Sequence, residues 1–512
     1  MTSAPVEAAR GRLEPLARKP GHDVRPRPAD LLQIPVIMLI GILPVIGLYM
    51  FERGASPSDP PLTASYLVIG ALSLWGYSYA AAQDGFSFRS VFYFFCFAFF
   101  FVVPYFSLEF DLWKYGRRPD EALRANLMII AWIICFQAAY MLQTRRSRAG
   151  SGPMTGSPLV RFRVKTLPCV CLLAILVFLA LTIAVLAGPE ALLLRGSRGD
   201  VSAEGTKAPM LLFQYIFKPA SLFLFFLWLY RWRSSLTHSR TDALMLWALG
   251  TFAIAMNLPT ASARFYVFIM YMAMICWWRP PRAGNGVFYT VVLYGGIYAS
   301  SIIDVFRQAF VLSNLRVEFS WKYLFVGHFD AYEIFVNGIA YMEKVGITWG
   351  YQLLGVLFFW VPRGLWPDKP VNTGRMIAEG YLGQVAGLEN FNKGAPLIAE
   401  AFVNYHVGGV VIGAWLLGHL AGFLDESWRK AWRDIRSVPR QSRAATIGSI
   451  RPDIFIAYPI LVAMFLFWQR GSMQSAFAYT TGMAVTYLAI RLFVVRRTWP
   501  LLQPRLNESA NN

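Results

Sequence analysis

Residues 91–108 read VFYFFCFAFFFVVPYFSL, and residues 168–188 read PCVCLLAILVFLALTIAVLAG. Neither run contains a charged residue, and each has the length, about 18–21 residues, that an α-helix needs to cross roughly 30 Å of hydrocarbon. A strand of a membrane β-barrel would instead alternate apolar and polar residues over about ten positions. The two runs therefore predict membrane-spanning helices.

The composition of the whole 512-residue chain agrees with these two runs. Apolar residues make up 56% of the chain and charged residues only 15%, whereas soluble proteins carry roughly a quarter of their residues as charges. This composition excludes a soluble enzyme, a disordered chain and a small disulfide-stapled scaffold. We predict an all-α polytopic membrane protein with about twelve transmembrane helices. The predicted spans lie near 32–51, 64–82, 91–108, 125–143, 168–188, 210–230, 243–258, 264–279, 287–303, 407–424, 454–469 and 477–495.

The charge distribution orients these spans. The chain has 48 basic and 29 acidic residues, a net charge of +19. With the N-terminus inside, the inner segments hold 28 basic against 11 acidic residues, whereas the outer segments hold 18 of each. A basic excess confined to short inner loops is the positive-inside pattern. We therefore interpret the basic clusters at 145–165 and 429–451 as topology determinants that also contact anionic lipids, and expect no nucleic-acid partner.

The orientation divides the chain into five parts. They are a cytoplasmic N-terminal tail (1–30), helices one to nine (31–303), a large outer loop (304–406), helices ten to twelve (407–495) and a cytoplasmic C-terminal tail (496–512). The outer loop contains apolar runs too short to cross a membrane, such as Leu353 to Val361. Backbone that enters the membrane and turns back is tolerated only against protein or a water-filled cavity. We therefore expect short or re-entrant helices in this loop, and the chemistry of the protein with them.

Cations gather on the predicted outer face. Arg264 and Arg470 stand at the outer ends of apolar helices, where the positive-inside pattern disfavours them. Each alone could be an arginine that extends to lipid head groups. Together with further cations they indicate an anion-binding cavity, because arginine offers a forked donor to phosphate oxygens. The further cations are Arg195 and Arg198 in the loop after helix five, and Arg363, Lys369 and Arg375 in the large outer loop.

Three stretches of the outer loop carry a family resemblance. Residues 327–333 read GHFDAYE, 361–370 read VPRGLWPDKP, and 394–409 read GAPLIAEAFVNYHVGG. Their order resembles the O-antigen polymerase family, the bacterial polymerases of oligosaccharide repeat units. The resemblance is sharpest over 325–425 and weaker through 257–264 and at Arg470. The chain departs from the family pattern at His406, where glycine is expected, and at Tyr405, where phenylalanine is usual.

The resemblance implies a glycosyltransferase of the membrane-embedded, GT-C-like architecture in the bacterial inner membrane. Such an enzyme joins repeat units carried on polyprenyl pyrophosphate at the periplasmic face, moving the growing chain from its lipid onto the next unit. Donor and acceptor are thus both lipid-linked oligosaccharides within the bilayer, and a chain-length regulator and a flippase are the expected protein partners. We expect no metal cofactor, because the acidic pair Glu109 and Asp111 ends a span without a supporting acid nearby.

The residues suit this reaction. A lipid pyrophosphate is already a good leaving group, so the site needs cations where negative charge develops and a base for the attacking hydroxyl. The candidate pyrophosphate ligands are Arg363, Lys369, Arg264, Arg195, Arg198, Arg470 and Arg375, with Asn404 as a further substrate-binding candidate. The favoured base is Glu400, whose partial burial is expected to raise its carboxyl pKa. Asp330 and His328 are alternative bases. The structural alternatives are an ion pair at Glu400 and a loop histidine bonded to backbone at His328.

Two other functions remain open at this point. A ligase that moves finished polysaccharide onto a lipid acceptor would share the architecture and the cation-lined outer site. A transporter of lipid-linked sugar or polysaccharide would need polar groups near the bilayer midplane and a path to both faces. Lys218, about halfway along helix six, fits either a cavity wall or a structural pair. The glycine pairs Gly409/Gly413 and Gly418/Gly422 in helix ten predict close packing with a neighbouring helix.

Overall fold

The computed structural model describes residues 28–43, 59–109, 118–149, 161–188, 190–193, 212–303, 329–382, 394–439 and 443–498. These residues are almost entirely helical, and each of the twelve predicted spans overlaps a helix. The first half of the chain contains α1 (Pro28–Ile40), α2 (Pro60–Asp84), α3 (Phe88–Phe97), α4 (Val103–Glu109), α5 (Pro119–Ala149), α6 (Thr166–Ala187) and α7 (Glu190–Leu193). It continues with α8 (Lys218–Ser234), α9 (Arg240–Met256), α10 (Arg264–Trp278) and α11 (Gly286–Ile303). The second half contains α12 (Ala331–Val345), α13 (Tyr351–Leu357), α14 (Thr373–Leu382), α15 (Leu397–Ser437), α16 (Arg443–Ser449), α17 (Pro452–Arg470) and α18 (Met473–Val494).

Among the described residues, seven helical segments are long and apolar enough to cross a membrane. They are Phe88–Leu108, Pro119–Ala149, Thr166–Leu186, Phe213–Ser234, Leu397–Ser437, Pro452–Arg470 and Met473–Val494. Three more apolar helical segments are shorter, namely Pro28–Ile40, Arg264–Trp278 and Gly286–Ala299. The chain is therefore a helical multi-pass membrane protein, and the total of twelve spans stays a prediction. Helix α2 falls outside both groups because serine, tyrosine, glutamine and aspartate interrupt its 25 residues, and the 17-residue α9 also falls outside them.

The glycines of α15 allow it to pack closely along α5. A Cβ atom at Gly418 would lie 2.4 Å from the backbone oxygen of Phe136, and one at Gly422 would lie 3.0 Å from that of Tyr140. Any larger side chain at these two positions would push the helices apart. The prediction of close packing is confirmed for the pair Gly418/Gly422, whereas Gly409 lies against Ala401 of its own helix.

The antiparallel helices give the bundle two ends. At one end the Asp84 carboxylate pairs with Arg429, and the indole of Trp428 donates to the Pro281 oxygen at 3.1 Å. At the opposite end the Lys218 ammonium contacts the turn at 259–262. The charge pattern predicts that the first end is cytoplasmic and the second periplasmic; we call them the inner and outer ends.

The inner end holds a buried polar network that the hydropathy pattern did not reveal. The Asp425 carboxylate accepts hydrogen bonds from the Phe88 amide and from the hydroxyls of Tyr140 and Tyr458, at 2.7–3.0 Å. One turn along α15, Arg429 donates to both Asp84 oxygens at 2.7 and 2.8 Å. A fully hydrogen-bonded network of this kind ties the inner ends of α2, α3, α5, α15 and α17 together.

A two-stranded antiparallel ribbon also lies at the inner end. Strand β1 (Arg161–Val164) pairs with β2 (Val495–Thr498), with Phe162 opposite Arg497. The sequence predicts an inner loop and the start of the C-terminal tail here, and neither strand was expected.

Candidate active site

The outer end is organised around a break in α15. Tyr405 (φ −143°, ψ 19°) and His406 (φ 56°, ψ −148°) depart from helical geometry and separate a short helix, 397–404, from the long helix that follows. The dihedral angles of His406 belong to a region that only glycine adopts without strain. This is the position where the family resemblance expects glycine. His406 thus replaces the expected glycine at a position whose backbone conformation favours glycine.

Glu400 lies within the short helix and is 2% exposed. Its carboxylate accepts a hydrogen bond from the Thr373 hydroxyl at the start of α14 and another from the Met473 backbone amide at the start of α18. The burial expected from the sequence is therefore confirmed. Within the described part of the chain, no arginine or lysine forms an ion pair with Glu400. A buried carboxyl held by two donors is a suitable general base, because its orientation is fixed and water is excluded.

Asn404 is fully buried one turn after Glu400. Its side-chain nitrogen donates to the Glu400 backbone oxygen at 2.8 Å, and its oxygen accepts from the Thr348 hydroxyl at 3.2 Å. Thr348 also bonds the Val403 oxygen through its backbone amide at 3.1 Å. These contacts anchor the short helix to the segment before α13, so Asn404 holds Glu400 in place in this structure.

Asp330 and Arg470 form an ion pair beside the short helix. An Arg470 guanidinium nitrogen lies 3.5 Å from an Asp330 oxygen, and the Asp330 side chain is buried. The backbone of Arg470 and Gly471 packs tightly on the segment 394–396, which leads into the short helix of Glu400. A Cβ atom at Gly471 would lie 1.8 Å from the Ala395 oxygen, and one at Gly394 would lie 3.1 Å from the guanidinium of Arg470. The structure thus brings Glu400, Asp330 and Arg470 together; we call them, with Thr373, the Glu400 cluster.

Arg264 begins α10 at the same end of the bundle. The ring of the next residue, Phe265, stacks on Phe467 at 3.8 Å between centroids, one turn before Arg470. Helices α10 and α17 therefore run side by side with both arginines near their outer ends. The prediction that Arg264 and Arg470 share one face is consistent with this packing.

Arg363 and Lys369 belong to a separate hairpin that follows α13. The Lys369 ammonium donates to the backbone oxygens of Phe359 and Val361 at 2.7 and 2.9 Å, and Arg363 donates to the Lys369 oxygen at 2.8 Å. Burial and the neighbouring Arg363 guanidinium lower the pKa of Lys369. Lys369 therefore holds the hairpin together, whereas Arg363 is exposed and open to an anion.

The hairpin and α13 pack on α18, close to Met473, whose backbone amide donates to Glu400. The Gln474 side chain donates to the Gly355 oxygen at 3.4 Å, and Phe359 packs edge-on against Phe477 at 5.9 Å. Arg375, on α14, instead pairs with Glu379 one turn later. The remaining candidates Arg195, Arg198 and His328 lie outside the described residues.

Sequence reasoning missed two members of this site. Thr373 follows Asn372, whose side chain accepts from the Arg375 amide at 2.9 Å and so starts α14. An Asn-Thr pair before a helix signals a cap, but it does not reveal that the threonine hydroxyl reaches Glu400. The Met473 amide could not be identified from sequence, because any residue supplies that donor.

The expectation that the protein uses no metal remains a prediction. Within the described ranges, no three His, Cys, Asp or Glu side chains gather as a metal site would require. Comparisons of the chain with family models, with curated proteins and with solved structures found no match.

Proposed function

We propose that this protein is a polysaccharide polymerase of the bacterial inner membrane. It joins oligosaccharide repeat units carried on polyprenyl pyrophosphate and transfers the growing chain to the incoming unit at the outer end. One observation carries the proposal: the segment from Arg470 to Met473 contacts both the Asp330 carboxylate and the buried, oriented Glu400 carboxyl at one end of the bundle. The type of reaction is inferred from the family resemblance over 325–425.

Each group has a role in the transfer. A hydroxyl oxygen of the acceptor sugar forms a bond to the anomeric carbon of the donor. The bond from that carbon to the pyrophosphate oxygen breaks, and its electron pair leaves with the lipid pyrophosphate. Glu400 takes the hydroxyl proton, while Arg470, Arg264 and the exposed Arg363 stabilise the charge that develops on the leaving group.

The ligase and the transporter are the alternatives. A ligase would use the same cluster with another acceptor, so only its product distinguishes it. A transporter needs a path through the inner end. There Arg429 donates to Asp84 and to the Tyr140 hydroxyl, which in turn donates to Asp425, and this network ties five helices together. That closure favours chemistry at the outer end over passage through the bundle.

Reconstitution tests the proposal. Purified protein in nanodiscs is given a defined polyprenyl-pyrophosphate oligosaccharide, and the glycans are sized by mass spectrometry. We expect products of two, three and more repeat units, and none with Arg363→Ala, whose guanidinium is exposed; Arg124→Ala, which removes another exposed outer-end cation, is the control. Transfer only to an added core acceptor would indicate a ligase. Unaltered substrate would reject glycan transfer.

A further inference from the structure

A pocket at the outer end is lined by residues other than those of the Glu400 cluster. Its walls come from the start of α8, the turn before α10, and the first half of α18. It is lined by Gln214, Lys218, Ala261, Ser262, Ala263, Tyr266 and Tyr479. Most of these residues bring a polar group to a part of the bundle that is otherwise apolar, and membrane proteins rarely place polar groups there without a function.

The backbone of α8 is adapted to this pocket. Residues Phe213–Phe217 form a π-helical turn that leads into Lys218, so Gln214 and Lys218 both line the pocket. Such turns are rare and occur often at functional sites. The Lys218 ammonium, 2% exposed, donates to the Ala261 oxygen at 2.8 Å and to the Ser262 hydroxyl at 2.7 Å. Lys218 thus lines a cavity, one of the two interpretations left open by the sequence.

Tyr266 supplies an independent indication of a ligand. The residue is 3% exposed, it lines the pocket, and its hydroxyl has no hydrogen-bond partner among the described residues. A buried hydroxyl without a partner costs free energy, which a bound polar group would recover. The Tyr479 hydroxyl opposite donates a hydrogen bond of 3.4 Å to the Gln214 side-chain oxygen.

The chemistry of the lining favours a sugar over a pyrophosphate. A pyrophosphate carries two negative charges, whereas the described residues of the lining include one cation, Lys218, which donates to Ala261 and Ser262. A glutamine amide offers a donor and an acceptor side by side, which matches neighbouring sugar hydroxyls, and serine and tyrosine hydroxyls can both donate and accept. The rings of Tyr266 and Tyr479 add the flat apolar walls on which sugar rings pack.

We propose that this pocket binds one sugar residue of the glycan, and this inference rests on the proposed polymerase function for its substrate class. The pocket adjoins the Glu400 cluster through Phe265, which stacks on Phe467 of α17 and lies 4.8 Å from the Tyr479 ring. A sugar held here would place the adjoining part of the glycan near Arg264 and Arg470.

Saturation-transfer NMR on the full chain in nanodiscs tests the inference without turnover. The probes are methyl glycosides of glucose, galactose, mannose and rhamnose, with glucuronate, each at about 10 mM, which suits millimolar affinity. We expect at least one probe to bind. Tyr266→Phe, which removes only the hydroxyl, should weaken that binding by about three- to tenfold. Tyr271→Phe on the same helix and Glu400→Gln in the cluster should leave it unchanged.

The outcomes separate this inference from the proposed function. Sugar binding that depends on Tyr266, in a protein that makes no polymer, would keep the sugar pocket and reject the polymerase. Polymer formation with no binding of any probe, or with binding that Tyr266→Phe leaves intact, would overturn the sugar pocket. Inorganic pyrophosphate is a further probe, followed by the broadening of its phosphorus signal. If pyrophosphate binds in a Tyr266-dependent way and no sugar does, the sugar pocket is overturned and the pocket is assigned to an anion.

Discussion

The Thr373 hydroxyl donates a hydrogen bond to the Glu400 carboxylate across 27 residues of sequence. The two residues come from different helices, α14 and α15, and both are buried. A carboxylate held by the Thr373 hydroxyl and the Met473 amide has a fixed orientation, which suits a general base.

Thr373 is therefore a positioning residue for the proposed base. Thr373→Val keeps the shape of the side chain and removes the donor, and we expect turnover to fall about tenfold with an unchanged KM. Thr373→Ser should restore most of the rate, because it restores the hydroxyl. Steady-state kinetics on the reconstituted enzyme measure both values. A rise in KM with unchanged turnover would contradict a positioning role.

The strained backbone at His406 gives a stability prediction. We expect His406→Gly to raise the unfolding temperature, since it relieves about 1 kcal/mol or more of strain. His406→Val should lower it, because a β-branched residue fits this conformation least. Tyr405→Gly is the matched control, because its φ of −143° gives glycine no advantage. Equal losses for both glycine variants would mean that residue 406 is unstrained.

The inner-end network predicts an unequal response to loss of two arginines on one helix. Arg429→Ala leaves the buried carboxylates of Asp84 and Glu426 without this partner and should cost about 3–5 kcal/mol. Arg433 also pairs with Glu426, but its side chain is 49% exposed, so Arg433→Ala should cost less than about 1 kcal/mol. Thermal unfolding in detergent compares the two. Equal stability of both variants would show that the network does not hold the helices together.

The sidedness of the bundle can be tested by cysteine labelling. Val345 and Leu236 are exposed, 59% and 72%, at opposite ends of the bundle. In a background without native cysteines, a membrane-impermeant maleimide should label Val345→Cys in intact cells and Leu236→Cys only after lysis. Val345 is preferable to the adjacent Gly346, whose φ of +84° would strain a cysteine. Labelling of Leu236→Cys alone in intact cells would reverse the orientation and move the Glu400 cluster to the cytoplasm.

The length of each apolar run predicted a helix at that run, because in lipid a single segment can satisfy its own backbone hydrogen bonds only as a helix. The pairing of those helices was not predictable, apart from the glycines of α15, whose spacing indicates close packing. In the site, the type and order of residues pointed to Glu400, Asp330 and Arg470. Partners such as Thr373, and the use of Lys369 within its own hairpin, depend on contacts between distant segments and left no local signal.

The central claim, that Glu400 is the base of a glycan-joining reaction, is tested most directly by Glu400→Gln. The variant keeps the size of the side chain and removes the proton acceptor. In nanodiscs with polyprenyl-pyrophosphate oligosaccharide, we expect the wild-type protein to form multiples of the repeat unit, and the variant to bind the same substrate without extending it. Glu379→Gln, on the neighbouring helix α14, is the control and should remain active. Multiples formed by Glu400→Gln at the wild-type rate would contradict the account.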